Sequence, residues 1–193
     1  MIRLESPPTP VVTPASTVAL ATRVHRDLEV GRYDHVPQGA PWLRDLAVEA
    51  ARIAGVPSAA INLMKSTTQR TVAGVGVEPT LHARQHSLCG VIIDEARTVH
   101  VVDVSADERW ARNPFVDGRW ASIRFYGAHP LVSPSGLVVG TLCVFDDQRR
   151  ELRASQVAEL DDLAAQVVVE LERSRLASLK AGVHRWVTSF SRG

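Results

Sequence analysis

Two cysteines, Cys89 and Cys143, are the first candidates for chemistry in this chain of 193 residues. Leu88-Cys89-Gly90 opens a stretch that reads as a helix, which places the first thiol in an opening turn. A cysteine there can have a lowered pKa and serve as a nucleophile, redox sensor or attachment point. Cys143 lies inside the almost wholly apolar run Leu137 to Phe145. A thiol in such a setting commonly packs as a small hydrophobe, and that role is open to Cys89 as well. His82, His86, His100 and His129 invite a metal or haem reading. His82 and His86 have the spacing of one helical face, but they fall in a loop and no further ligand completes a set around them. His129 alternates with Phe125 and Gly127 along a strand, so it could face a pocket as an axial ligand. A lone histidine is more often hydrogen-bonded or exposed, so haem is disfavoured and the cofactor stays open. Aromatic residues are only 5% of the chain, yet Trp110, Phe115, Phe125 and Tyr126 gather within one short segment. No nucleophilic triad context, P-loop or dinucleotide-binding glycine fingerprint occurs, so no catalytic constellation is visible.

Several elements must position these side chains. Apolar spacing predicts a helix over Thr17 to Val30, stopped by Gly31, and a second over Pro41 to Ala54, capped by Gly55. Strands are expected at Ser58 to Met64 and Arg70 to Val77, joined by the polar turn Lys65 to Gln69. A helix should run from Ser87, a candidate N-cap, to Ala96, followed by a strand over Thr98 to Val104. Ser105 to Glu108 has capping-box spacing, which predicts a short helix carrying Trp110. Arg124 to Val132 and Leu137 to Phe145 form a hairpin around Ser133-Pro134-Ser135-Gly136. Gly127 and Gly140 within it mark a close backbone approach or a bend. The last helix extends from about Ala154 to Lys180 with a stripe through Leu160, Ala164, Val167 and Leu171. That stripe weakens beyond Leu171, and a long coiled coil is not expected.

The RFYxxxPL strand followed by GxxxGTLCVxD resembles the closing hairpin of a GAF domain, the small-molecule sensor module of signalling proteins. Ala59-Ala60-Ile61-Asn62-Leu63, Ser87-Leu88-Cys89, Val101-Val102-Asp103, Asp107 to Trp110, Asn113-Pro114 and Leu160 to Ala164 match in the expected order. The likeness covers roughly 41–175. It implies an α+β fold: an antiparallel sheet of five to six strands with helices on both faces, the N- and C-terminal helices sharing one face. It also implies a pocket near Trp110, Phe115, Phe125 and Tyr126, with Asn62, Arg124, Tyr126 and Thr141 as polar groups and Cys89, His129 and Cys143 as further candidates. GAF domains often pair through terminal helices, so a homodimer is expected. The cyclic-nucleotide signature of the family has no counterpart here. Leu88-Cys89-Gly90 is similar to a piece of the GAF-like free methionine-R-sulfoxide reductases, but the other pocket cysteines of that family have no match.

Composition is that of an ordinary soluble domain, 45% hydrophobic and 22% charged. Lysines and arginines (22) nearly balance aspartates and glutamates (21), so no field favours nucleic acid or an anionic membrane. No apolar run is long enough to span a bilayer. Residues 1–16 read as a disordered Pro-rich leader, 17–40 as helix and loop, 41–180 as the GAF-like domain, and 181–193 as a tail. Two cysteines suit a reducing cytoplasm. The expected function is a regulatory module that binds an unidentified small molecule and signals through the dimer helices, Thr17 to Val30 and Ala154 to Lys180, with a signalling protein as a possible partner. The alternatives are a dimerisation module with a filled core, and a thiol redox enzyme or sensor.

Overall fold

The computed structural model describes residues 14–190. Its strands are β1 (Ser58–Met64), β2 (Thr68–Val75), β3 (Leu81–Ala83), β4 (Val99–Val101), β5 (Phe125–Val132) and β6 (Val138–Asp146). Its helices are α1 (Pro14–Gly31), α2 (Pro41–Ala54), α3 (Cys89–Glu95) and α4 (Ala154–Phe190). The strands form one antiparallel sheet in the order β3-β2-β1-β6-β5-β4, with helices on both faces, as expected for an α+β fold of this kind.

Strand alternation divides the core in two. Ala59, Ile61 and Leu63 of β1 join Leu142 and Val144 of β6 beneath α2 and α4. Leu43, Ala47 and Ala50 of α2 and Leu160, Ala164, Val167 and Leu171 of α4 complete that layer at helical spacing. The other face carries Met64, Tyr126, Ala128 and Cys143 beneath Leu88, Ile92 and Ile93, with Trp110 and Val116 from the connection between β4 and β5. The end of α1 and the turn after it join the α2/α4 layer through Val30, Tyr33 and Val36. The Tyr33 hydroxyl donates to Glu172 of α4.

Local signals account for most boundaries. Pro41 starts α2, where a missing N–H costs nothing, and Gly55 ends it at φ 69°. Gly136 closes the β5–β6 hairpin at φ 81°, its N–H donating to the Ser133 carbonyl at 2.9 Å. Buried Asp146 accepts from Arg150 at 2.8 Å and anchors the exit toward α4.

Three expectations change. The helix expected to carry Trp110 is replaced by turns. Asp103 accepts from the Ser105 N–H and caps a single 3-10 turn at Val104–Ala106. The Asp107 carbonyl then accepts from Trp110 and Ala111, and Asn113-Pro114 stops propagation because the residue before proline avoids helical dihedrals. β3 is an added strand: it pairs with Thr68, Gln69 and Arg70, so β2 starts earlier than expected. Finally, α1 begins at Pro14 and α4 continues to Phe190, into the segments expected as leader and tail. Residues 1–13 and 191–193 of those segments lie outside the described residues. No helix among the described residues is long and apolar enough to cross a membrane.

Candidate functional site

A cavity of about 230 Å³ lies between the β1–β2–β6 region of the sheet and the cover formed by α3 and the β4–β5 connection. Leu88, Phe115, Ile123 and Phe145 make its apolar wall, and Asn62, Thr71, Tyr126 and both cysteines contribute its polar floor. Its lining includes no Lys, Arg, Asp or Glu. Burial and the nearby His86 hold the His82 imidazole below its usual pKa, so it too is neutral at pH 7.

The floor is built on one buried asparagine. Thr71 Oγ1 and Gln69 Nε2 donate to Asn62 Oδ1 at 2.7 and 3.2 Å. With its oxygen occupied, Asn62 turns its amide nitrogen toward Cys89 Sγ and Cys143 Sγ, each 3.6 Å away. The Tyr126 hydroxyl donates to Cys89 Sγ at 3.0 Å and lies 3.3 Å from Cys143 Sγ. Thr141 Oγ1 sits 3.0 Å from Cys143 Sγ. The Ser87 hydroxyl donates to Gln69 Oε1 and accepts the Cys89 N–H at 2.9 Å. The two sulfurs are 3.2 Å apart, and both residues are buried.

These contacts distinguish the thiols. The Cys143 S–H beside Cys89 lowers the Cys89 pKa despite burial, and the Thr141 and Tyr126 hydroxyls add to it. Burial raises the Cys143 pKa well above the ordinary thiol value, and the neighbouring Cys89 adds to that. Burial likewise holds Tyr126 firmly as a neutral donor.

The residues singled out from the sequence separate by location. Asn62, Cys89, Phe115, Tyr126 and Cys143 meet at the cavity, and Thr141 lies against Cys143 at its floor. Trp110 is buried beside Tyr126, ring centroids 6.0 Å apart, with its indole N–H donating to the Leu88 carbonyl at 3.1 Å. It therefore supports the cover. The Arg124 guanidinium is spent on the Val116 and Ile123 carbonyls at 3.0 Å. Phe125 and His129 point to the α2/α4 side of the sheet, because they alternate with Tyr126 and Ala128 along β5. His129 is fully buried there, its nitrogens engaged by Asp161 and His100, which removes it from the cavity as an axial ligand.

Gln69, Thr71 and Ser87 were not anticipated at the site. Regular alternation along β2 would put Gln69, Thr71, Ala73 and Val75 on one face. The register instead shifts between Ile61 and Asn62, where Ile61 pairs Ala73 and Asn62 pairs Thr71, leaving Val72 as the extra residue. This bulge turns Gln69 and Thr71 into the cavity while Ala73 stays in the helical core. A buried polar pair beside Asn62 was the available signal, but its face depends on the bulge. Among the described residues no cluster of three His, Cys, Asp or Glu is arranged to hold a metal. A larger groove of about 580 Å³ outside α3 is shallow, and its Arg84 and Asp94 already pair at 2.7 Å.

An antiparallel sheet with helices on both faces, and a small cavity under one helix and a turn-rich cover, defines an α+β domain. The family model described as "GAF domain" matches residues 40–171, and the chain belongs to that family, a module of signal transduction. A cyclic di-GMP phosphodiesterase of Pseudomonas aeruginosa is 32% identical over 120 residues, which are 62% of this chain and 20% of the relative. The chain thus corresponds to about a fifth of that protein's length. The GAF domain of a phosphoenolpyruvate-protein phosphotransferase from Coxiella burnetii superposes with a TM-score of 0.62 at 12% identity, covering 83% of this chain and 96% of that one. A type II free methionine-R-sulfoxide reductase from Thermoplasma acidophilum gives 0.56 at 11%, covering 79% and 96%. At such identities the likeness is one of fold, and this fold serves regulation and catalysis alike.

Proposed function

We propose that the chain is a regulatory GAF module that binds a small, uncharged molecule in the cavity above Asn62 and passes its occupancy to a paired copy through α1 and α4. The observation that carries this reading is the cavity itself: apolar walls, a polar floor and no charged lining. Its volume of about 230 Å³ is below the ~300–1,000 Å³ of drug-sized sites, so the occupant is a small metabolite and not a nucleotide. The pairing rests on exposed apolar residues. Val169, Leu176 and Val183 repeat every seventh position on α4, with Leu179 between, and α1 presents Leu20, Val24 and Leu28. A bound molecule acts only by favouring one helix arrangement over another. The likeness to part of a cyclic di-GMP phosphodiesterase supports a place in a signalling pathway.

The test is native mass spectrometry of the purified chain beside an Ala121→Trp variant, which fills the cavity mouth. The expected result is a small molecule carried by the wild type and absent from the variant. A bare wild-type mass, with identical thermal-shift responses of both proteins to metabolite mixtures, would overturn the reading.

A further inference from the structure

The sulfur pair has a geometry that binding alone does not require. Two thiols 54 positions apart in the chain meet at 3.2 Å, about 1 Å beyond the ~2.05 Å of a covalent S–S bond. Both open onto the same cavity, which has no charge to hold back or select an ion. Their surroundings are unequal. Cys89 Sγ faces the Tyr126 hydroxyl, the Asn62 amide and the Cys143 thiol, three donors that stabilise a sulfur anion. Cys143 Sγ shares Asn62 and Tyr126 and has Thr141 Oγ1 at 3.0 Å, but it sits deeper, in β6, where burial opposes its ionisation. One sulfur is prepared to attack and the other to remain a thiol until needed, which is the division of labour that disulfide formation requires.

We propose that Cys89 and Cys143 form a reversible dithiol–disulfide centre, oxidised by a small neutral hydroperoxide that enters through the cavity. The Cys89 thiolate attacks the distal peroxide oxygen. The O–O bond breaks, Cys89 becomes the sulfenic acid, and the departing alkoxide or hydroxide takes a proton to leave as alcohol or water. Cys143 then attacks the Cys89 sulfur; the S–O bond breaks, and the expelled hydroxide takes the Cys143 proton to form water. In sum, two thiols and one hydroperoxide give one disulfide, one alcohol or water, and one water. The sulfenic stage is short-lived because its resolving thiol is already in contact. The new bond removes the S–H that Cys143 offers and ties the first turn of α3 to β6, so it stiffens the cavity cover against the floor. This role holds whether or not a metabolite occupies the cavity.

Reduced full-length chain is treated with hydrogen peroxide, then analysed by intact mass and by differential alkylation with peptide mapping. The expected result is loss of two hydrogens per chain and a linked Cys89–Cys143 peptide, both reversed by dithiothreitol. In Cys143→Ala, dimedone should capture Cys89 as its sulfenic acid, about tenfold above Cys143 capture in Cys89→Ala. The wild-type experiment decides even if a variant fails to fold. No linked peptide in the wild type, a bridge between chains instead of within one, or equal dimedone capture at both cysteines would overturn the proposal.

Discussion

His129 has no exposed surface, and both ring nitrogens are engaged. Nδ1 lies 2.6 Å from Asp161 of α4, and Nε2 lies 3.0 Å from His100 Nε2 on β4. With the Nδ1 proton given to Asp161, His129 Nε2 accepts from His100, and the contact is lost when both rings are protonated and two N–H groups face each other. Burial pushes His100 down to about 4, the charge of His129 pushes the same way, and Asp161 opposes both. Burial also lowers His129, against the pull of Asp161. The unfolded chain therefore takes up protons on these rings near pH 6.5, before the folded protein does. Their contribution is fully present above pH 6.5 and is lost as pH falls toward 4. For the partly exposed His100 ring this amounts to on the order of 1–2 kcal/mol after discounting for solvent screening. Urea midpoints at pH 7.5 and 4.5 should show the loss, and His100→Gln should flatten it. An equal slope in the variant would assign the acid sensitivity to carboxylates.

At the scale of elements, two glycines make opposite predictions. Gly140 lies in β6 where β1 passes closest: an added Cβ would collide with the Asn62 carbonyl oxygen and sit 3.1 Å from Leu63 Cα. Backbone atoms cannot rotate away, so Gly140→Ala must shift the strand that holds Asn62. A loss of about 1–3 kcal/mol is expected, the usual cost of overpacking. Gly182 stands within α4 with nothing within 4 Å of the same added atom. Gly182→Ala should stabilise the helix by about 0.5–1 kcal/mol, because it reduces the entropy of the unfolded chain. Denaturant titration of both variants checks the pair. A neutral Gly140→Ala would mean that the strands separate more readily than their pairing implies.

For the whole molecule, α4 is the element that extends farthest. Its 37 residues span about 55 Å, and burial against the sheet ends near Leu171. Past that point Leu176, Leu179 and Val183 are about half exposed on a helix that has left its own core. Pairing with a second copy would cover them, and since each is already half covered the gain is about half of the ~1.5–3 kcal/mol that full burial of such a side chain is worth. Light scattering at micromolar concentration should give a dimer mass for the wild type and a monomer mass for L176E/L179E. A wild-type monomer would rule out the pairing and leave the stripe for another protein. Oxidation at the cysteine pair lies on the opposite face of the sheet, so the two properties can be tested separately.

Local chemistry was enough to determine most elements and their order, with β3 and the turns that carry Trp110 as the exceptions. Proline and glycine punctuation bounded α2 and the β5–β6 hairpin, and the Leu160-Ala164-Val167-Leu171 spacing identified the inner face of α4. Asn62, Tyr126 and both cysteines could be identified as candidates because the resemblance to GAF domains implies a pocket beside their segments. Which side each strand residue serves was not a local property. It depended on register: the bulge opposite Asn62 brought Gln69 and Thr71 to the cavity, and alternation along β5 sent Phe125 and His129 away from it. Nor could spacing along the chain reveal that Cys89 and Cys143 stand sulfur to sulfur. That contact exists because α3 packs across β5 and β6, and Asn62 joins it because β6 pairs with β1, a coincidence of separate segments that only tertiary packing can set.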